Sequence, residues 1–349
     1  MEASNDIRGL QRKGLLLIDQ EMHGRALVCF HRAIKLDPRN AFSYVCKASL
    51  LKIIRKYEEA VNCYDKAIKL DPKFAATYYN KGGALRKMKK YGEAIDCYDQ
   101  TLSLDQNHAK AYYDKGRALE KLRMYEEAVE CYNKTIFLNP NDAKAYKHKG
   151  YILSKMRRYE EAVDSYDQAI SFDPNDANAH KDQGYIFYKM GKYKEAVDYY
   201  DRAINLDPNN TETLMDKGVV LIQMKRYEEA AGCYTQLIVL DPNRAKAYHN
   251  KGFALSKKGE YGEAISCYDK TVCLDPNYAR AFYNKGMALF QIGEYEEAVG
   301  CFDKAISLDL NDAKVYVNKQ RALSKLAKNE EAAELKRKGE GVVSLSHKN

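Results

Sequence analysis

The sequence predicts an all-α solenoid built from repeated helix pairs, and three observations carry that prediction. Residues 123–142, RMYEEAVECYNKTIFLNPND, return 34 residues later as RRYEEAVDSYDQAISFDPND. All seven prolines (Pro38, Pro72, Pro140, Pro174, Pro208, Pro242 and Pro276) are spaced by multiples of 34. Between them, apolar residues recur at the three-to-four-residue spacing of a helix face, in two separate runs per interval. A period of about 20–50 residues marks an array in which each unit packs on the next.

Counting from the prolines divides the chain into nine units without insertion: 7–40, 41–74, 75–108, 109–142, 143–176, 177–210, 211–244, 245–278 and 279–312. Gln106 and Leu310 stand where two prolines are missing. Residues 1–6 form a stub, 313–338 a degenerate tenth unit that caps the array, and 339–349 a frayed tail. With the first residue of each unit as position 1, position 20 is alanine in all ten units, from Ala26 to Ala332. Position 8 is glycine in eight of them: Gly14, Gly82, Gly116, Gly150, Gly184, Gly218, Gly252 and Gly286. Position 24 is Tyr or Phe in the first nine, from Phe30 to Phe302, and position 17 is Tyr in eight, from Tyr57 to Tyr295. The glycine and the alanine are expected to meet where the two helices cross, because close approach requires small side chains.

Each element follows from local chemistry. In unit 109–142, Tyr112, Lys115–Gly116 and Leu119 lie on one face of a first helix. A second helix starts after Met124–Tyr125, with Glu126 and Glu127 favourably placed at the positive end of its dipole. Pro140 disfavours helical geometry at Asn139 and ends it. Asn or Asp at position 34 (Asn40, Asp142, Asp176, Asn210, Asp312) is placed to cap the next first helix.

Composition narrows the function. The 349 residues are 45% hydrophobic and 30% charged, with a net charge of +8. That excess is modest for a nucleic-acid binder. The N-terminus lacks the apolar core of a signal peptide, since Leu15–Ile18 is four residues long. No run approaches the ~18–20 apolar residues of a membrane span. The expectation is a soluble protein with no membrane partner, and the sequons at Asn133 and Asn209 then carry no weight.

Catalytic chemistry is sought without result. No metal-site, phosphate-loop or nucleophile-elbow pattern is present, and the seven histidines are scattered over unrelated positions. No catalytic residue, metal or cofactor is expected, and the chain reads as a non-enzyme. Seven of the nine cysteines occupy position 23: Cys29, Cys63, Cys97, Cys131, Cys233, Cys267 and Cys301. Copies one layer apart are too distant for disulfides, so these read as small core residues, and free thiols suit a reducing, cytoplasmic compartment. Cys46, on another face, is expected to react before them.

With small residues at 8 and 20, an aromatic at 24 and proline at 32, the chain resembles the tetratricopeptide repeat (TPR) family over residues 7–338. The resemblance implies a right-handed superhelix whose first helices line a concave groove through positions 2, 5, 6, 9, 12 and 13. One departure is systematic. Where the family has Leu at position 7, this chain has lysine in nine of the ten units: Lys13, Lys47, Lys81, Lys115, Lys149, Lys217, Lys251, Lys285 and Lys319. The stem is expected to line the core and the amine to reach out to solvent. In the tenth unit Gln320 and Lys336 replace the glycine and the aromatic, as suits a cap.

The implied groove supplies candidate binding residues. Tyrosines Tyr79, Tyr113, Tyr151, Tyr185 and Tyr188 fall on it, as does Phe253. Position 6 carries Asn80, Asn250, Asn284 and Asn318, which resembles an interrupted form of the asparagine ladder by which long TPR arrays hold a peptide backbone. The cations Arg86, Lys87, Arg117, Lys121, Lys147, Lys155, Lys181 and Lys189 make units 75–210 basic, while units 211–312 are more apolar. The carboxylate clamp of chaperone-binding TPR domains is not matched, because position 9 is never Asn. The reading is a scaffold or adaptor that binds an extended acidic or acidic-aromatic protein segment. RNA or another polyanion is the alternative, since interleaved Tyr and Arg/Lys also suit bases and phosphates.

Overall fold

The computed structural model describes residues 2–310 and 312–326, which contain nineteen helices and no strand. The chain divides into two compact bodies, Met1–Pro174 and Asn175–Asn349. The first holds α1 (Glu2–Asp19), α2 (His23–Leu36), α3 (Ala41–Ile53), α4 (Tyr57–Leu70), α5 (Ala75–Lys87), α6 (Tyr91–Leu104), α7 (Ala109–Lys121), α8 (Tyr125–Leu138), α9 (Ala143–Lys155) and α10 (Tyr159–Phe172). The second holds α11 (Ala177–Lys189), α12 (Tyr193–Leu206), α13 (Thr211–Gln223), α14 (Tyr227–Leu240), α15 (Ala245–Lys258), α16 (Tyr261–Leu274), α17 (Ala279–Ile292), α18 (Tyr295–Ser307) and α19 (Ala313–Lys325). Within each body the helices of a unit pack as a pair, and each pair packs on the next. The first helix starts at Glu2. Residues 2–6, expected as a stub, therefore belong to it, and they contain no Pro or Gly that would break it. Ala332, Lys336 and the tail 339–349 lie outside the described residues.

The ends of the helices follow the sequence signals. Asn40 and Asp142 each accept a hydrogen bond from an amide of the first turn they precede, at 3.0 and 3.1 Å. Asp176, Asn210 and Asp312 do the same at 3.2, 3.1 and 2.9 Å. Beside the prolines, Asp37, Asp71, Asp207 and Asp275 accept from the amide two residues on, at 2.9–3.3 Å, and Asp105, before Gln106, does the same at 3.1 Å. The turn inside each unit was not legible in the sequence. Position 15 is left-handed throughout, at Glu21, Arg55, Lys89, Arg123, Arg157 and Lys225 (φ 58–62°) and at Gly191, Gly259 and Gly293. Most of these residues have a side chain, and each such residue bears about 1–2 kcal/mol of strain that the packed helix pair overcomes.

The crossing inside the unit differs from expectation in its main contact. A Cβ added at Gly82, Gly116, Gly150 or Gly218 would come within 2.6–2.9 Å of the ring at position 24, on Tyr98, Tyr132, Tyr166 and Tyr234 respectively. At Gly184, Gly252 and Gly286 the alanine at position 20 takes part through its carbonyl oxygen, at 3.1–3.2 Å. The glycine therefore exists chiefly to receive a ring. Tyr64, Tyr98, Tyr132, Tyr166, Tyr200, Tyr234 and Tyr268, with Phe30 and Phe302, are fully buried.

The lysines at position 7 do not simply reach solvent; most meet an aspartate at position 25 of the preceding unit. Lys81 pairs with Asp65 at 2.6 Å and Lys115 with Asp99 at 2.5 Å. Lys217 pairs with Asp201, Lys285 with Asp269, and Lys319 with Asp303 at 2.5 Å. Lys47 meets His31 instead, at 3.0 Å. Burial works against the charge of Lys81 and Lys115, yet the hydrogen bond to aspartate overcomes it and raises both pKa values. At Lys149, where Asn133 replaces the aspartate, burial wins and the pKa falls. The aspartates are 42–52% exposed at these five pairs, so each pair is worth only about 0–1 kcal/mol. Their effect is to make a half-buried ammonium acceptable in the seam between units.

Gly116→Val should therefore lower stability by about 1–3 kcal/mol in chemical denaturation, because a branched side chain cannot share its space with the Tyr132 ring. The reverse change Ala48→Gly, which relieves no clash because Ala48 already packs in a buried cluster with Tyr64, should cost about 1 kcal/mol, chiefly from helix propensity. Equal effects at the two positions would disprove the ring contact as the cause.

Candidate functional site

In the first body the predicted groove residues gather into two polar clusters. Tyr79, Arg86 and Lys87 of α5 line a cleft of 320 Å³ with Lys52 and Ile53 at the end of α3 and Asp114 of α7. The Tyr79 hydroxyl donates to Asp114 at 2.9 Å, and Arg86 approaches the same carboxylate at 3.3 Å. Lys52 donates to Asn80 at 2.8 Å, while the Asn80 amide donates to the Ala76 carbonyl at 2.9 Å. Burial depresses the Lys52 pKa, with Asp114 acting against it.

The second cluster centres on Glu120 of α7. The Tyr132 hydroxyl donates to it at 3.2 Å, His148 Nδ1 lies at 3.1 Å, and Lys121 stands at 3.8 Å. Burial would raise the Glu120 pKa, but the His148 hydrogen bond and the neighbouring charges bring it below the ordinary value. Arg117 sits over the Tyr113 ring at 5.9 Å, and Lys155 over Tyr151 at 4.9 Å. Lys147 is half-buried on α9.

In the second body Lys189 sits over both Tyr185 and Tyr188, at 5.2 and 5.6 Å from the ring centres. Lys181 pairs with Glu212 at 3.3 Å. Burial raises the Asp216 pKa against the pull of Lys181. A cavity of 580 Å³ brings Phe253 and Lys257 of α15 together with Tyr283, Asn284 and Met287 of α17. Lys257 covers the Phe253 ring at 5.4 Å. The ladder asparagines are mostly engaged within the protein. Asn250 donates to the Met215 sulfur at 3.3 Å and Asn318 to the Tyr283 hydroxyl at 3.0 Å. Asn284 lines the cavity, and no hydrogen bond of its side chain occurs among the described residues.

Lys52 and Gly83 escaped the sequence reading. Lys52 lies one unit before the stretch counted as basic, and Gly83 matters through the side chain it lacks. His249 was also passed over. It is buried between Tyr268 and Tyr278, at 5.8 and 4.8 Å, and its Nδ1 has no hydrogen-bond partner. Burial, then Arg280 and Lys246, push its pKa down to about 4.

A family model described as tetratricopeptide repeat matches residues 75–108, 109–142, 143–176, 177–210, 245–278 and 279–312, more than half of the chain. The chain belongs to the tetratricopeptide repeat family. A second TPR repeat model matches residues 56–89 and 218–259. Among solved structures, the C-terminal part of a TPR repeat-containing protein from Cytophaga hutchinsonii is 18% identical, with a TM-score of 0.62 over 69% of this chain and 98% of that one. PilF from Pseudomonas aeruginosa is 20% identical, with a TM-score of 0.52 over 60% and 95%. YrrB, described as a TPR protein with an unusual peptide-binding site, is 28% identical, with a TM-score of 0.49 over 54% and 97%. No curated protein matches the chain. Among the described residues no helix is long and apolar enough to cross a membrane.

The thiols and His249 yield two expected outcomes. Cys46, expected from sequence to react early, is 3% exposed, and burial pushes its pKa up to about 12. Its position lies against Leu17, Cys29 and Leu50, inside the core of the first units. Cys273 is exposed. Native alkylation followed by mass spectrometry should label Cys273 first and leave Cys46, Cys97 and Cys131 for denatured protein.

His249 stays neutral in the fold below the pH at which an unfolded histidine takes a proton. Stability is therefore unaffected above about pH 6.5 and falls as pH drops toward 4, by roughly 3 kcal/mol in total. His249→Tyr, the residue at the same position in Tyr283, should remove that share of the pH slope in denaturation at pH 7.5, 6 and 4.5.

Proposed function

We propose that this TPR protein is a non-enzymatic scaffold or adaptor whose groove binds an extended acidic or acidic-aromatic segment of a partner protein. The observation that carries the reading is how the two carboxylates of α7, Asp114 and Glu120, are used. Asp114 is taken up by Arg86 and Tyr79, and Glu120 by His148, Tyr132 and Lys121. Lys87, Lys110 and Lys144 are exposed, and none of them makes an ion pair among the described residues. Arg117 and Lys155 lie over tyrosine rings, which leaves their charge for a ligand. The result is a positive surface with aromatic faces between the charges, complementary to acidic and aromatic side chains. In the second body the cavity around Phe253, Tyr283 and Met287 suits an apolar side chain, and Asn284 offers a donor and an acceptor at its wall. TPR proteins bind protein or peptide partners generally, and binding without catalysis is the use these residues support. A cytoplasmic, reducing setting suits the free thiols.

The test is fluorescence anisotropy with a labelled peptide of alternating Glu and Phe, beside a labelled single-stranded oligouridine. Lys110→Glu, Arg117→Glu, Lys144→Glu and Lys155→Glu together should weaken the peptide at least tenfold. The same number of reversals at Arg32, Lys35, Lys69 and Lys134, on second helices, should change affinity less than twofold. Tighter binding of the oligouridine, with log affinity falling by about 0.7 per phosphate as log salt rises, would transfer the reading to RNA.

A further inference from the structure

The cleft between α3, α5 and α7 differs from its neighbours at position 9. In the units of the first body that position holds Leu15, Ser49, Gly83, Arg117 and Tyr151. Only Gly83 brings no side chain. A Cβ placed there would meet nothing nearer than the Lys52 ammonium, at 4.0 Å. Gly83 lines the 320 Å³ of open space at its mouth without filling any of it.

That space is charged out of balance. Three cations, Lys52, Arg86 and Lys87, line it with a single carboxylate, Asp114. Asp114 is already bound by Tyr79 at 2.9 Å and by Arg86 at 3.3 Å. Among the described residues Lys52 donates directly to the neutral Asn80 oxygen, at 2.8 Å, and forms no ion pair. Arg86 and Tyr98 lie close enough to interact, yet neither Arg86 Nε nor the Tyr98 hydroxyl, both buried, has a partner in hydrogen-bonding geometry. A half-buried ammonium whose direct partner is neutral leaves a demand for negative charge at this opening.

We propose that this cleft is an anion subsite, which receives through the opening at Gly83 the carboxylate of a glutamate or aspartate side chain from a bound acidic segment, with Lys52 and Arg86 as its partners. The proposal rests on the groove reading above and assigns one side chain of the ligand to one place. A carboxylate supplies the counter-charge that Lys52 lacks and forms charge-assisted hydrogen bonds, the stronger kind in proteins. The rings of Tyr57 and Tyr79 in the cleft wall cover the methylene groups that carry it. The volume lies at the small end of binding pockets, as suits one side chain rather than a whole ligand.

Two variants separate shape from charge. Gly83→Phe fills the opening and leaves every charge in place. Lys52→Met removes the cation without its counter-charge and keeps the length of the side chain. Circular dichroism and thermal melts establish that both variants fold. The probe is fluorescein-labelled hexaglutamate, read by anisotropy at physiological ionic strength, with hexaglutamine as the neutral isostere and inorganic phosphate as competitor. The expected result is at least a tenfold loss of hexaglutamate affinity in each variant, with hexaglutamine at least tenfold weaker on the wild type. Unchanged affinity in Gly83→Phe overturns the subsite, as does a wild type that binds hexaglutamate no better than hexaglutamine. Phosphate that binds in the cleft and is not displaced by hexaglutamate also overturns it, in favour of a phosphate ligand. The reversals at Lys110, Arg117, Lys144 and Lys155 lie outside the cleft. If they abolish binding of the Glu–Phe peptide while Gly83→Phe does not affect hexaglutamate, the groove reading stands and the subsite alone fails.

Discussion

A ring laid on a bare stretch of helix is the contact on which each unit depends. The aromatic at position 24 of the second helix occupies the space that a Cβ at position 8 of the first would take, as Tyr132 does against Gly116. The ring is large enough to fill the middle of a helix pair, and it is fully buried in every unit from Phe30 to Phe302. It also crosses the unit. The Tyr132 hydroxyl reaches Glu120, and the Tyr268 hydroxyl meets Ser256 at 3.2 Å. Both partners stand at position 12, on the implied groove side. A core residue thus ends beside the implied groove, and its hydroxyl is met from position 12 in these two units and from position 9 at Ser49, which lies 3.2 Å from the Tyr64 hydroxyl.

Between units the lysine and aspartate pairs play a different part. Leucine at position 7, usual in the family, would seal the seam with apolar surface. Here the ammonium of one unit meets the carboxylate of the one before it, as Lys115 meets Asp99. The pair stabilises little, but an unpaired ammonium there is disfavoured, as the depressed pKa of Lys149 beside Asn133 indicates. Because the same pair recurs at five seams, it fixes how a lysine is accommodated between units and does not single out one neighbour.

The groove applies the same rule with the opposite sign. Two of its carboxylates in the first body, Asp114 and Glu120, are enclosed among donors, and exposed lysines remain outside them. Self-neutralisation of the acids sets the residual charge that a partner meets. It also explains why charge counting along the sequence overstated some candidates. Arg86 and Lys181 are held by Asp114 and Glu212, so part of their charge is already balanced, while Lys52 gains weight because its partner is neutral.

The sequence by itself determined the fold. A 34-residue period with fixed glycine, alanine, aromatic and proline positions leaves few ways to bury two helix faces, and local signals such as Asp142 and Pro140 mark where helices begin and end. It determined the burial of the position-23 cysteines only in part, since Cys267 and Cys301 are half-buried. What tertiary structure decided were the pairings across units. The Lys115–Asp99 pair, the Glu120–His148 contact and the Lys52–Gly83 cleft join residues 16 to 31 positions apart. The left-handed turn at Arg123 and the burial of Cys46 were settled in the same way. Periodicity assigns a residue to a face of a helix. It does not say which side chain stands opposite, and charge, burial and open space at a site depend on that opposing partner.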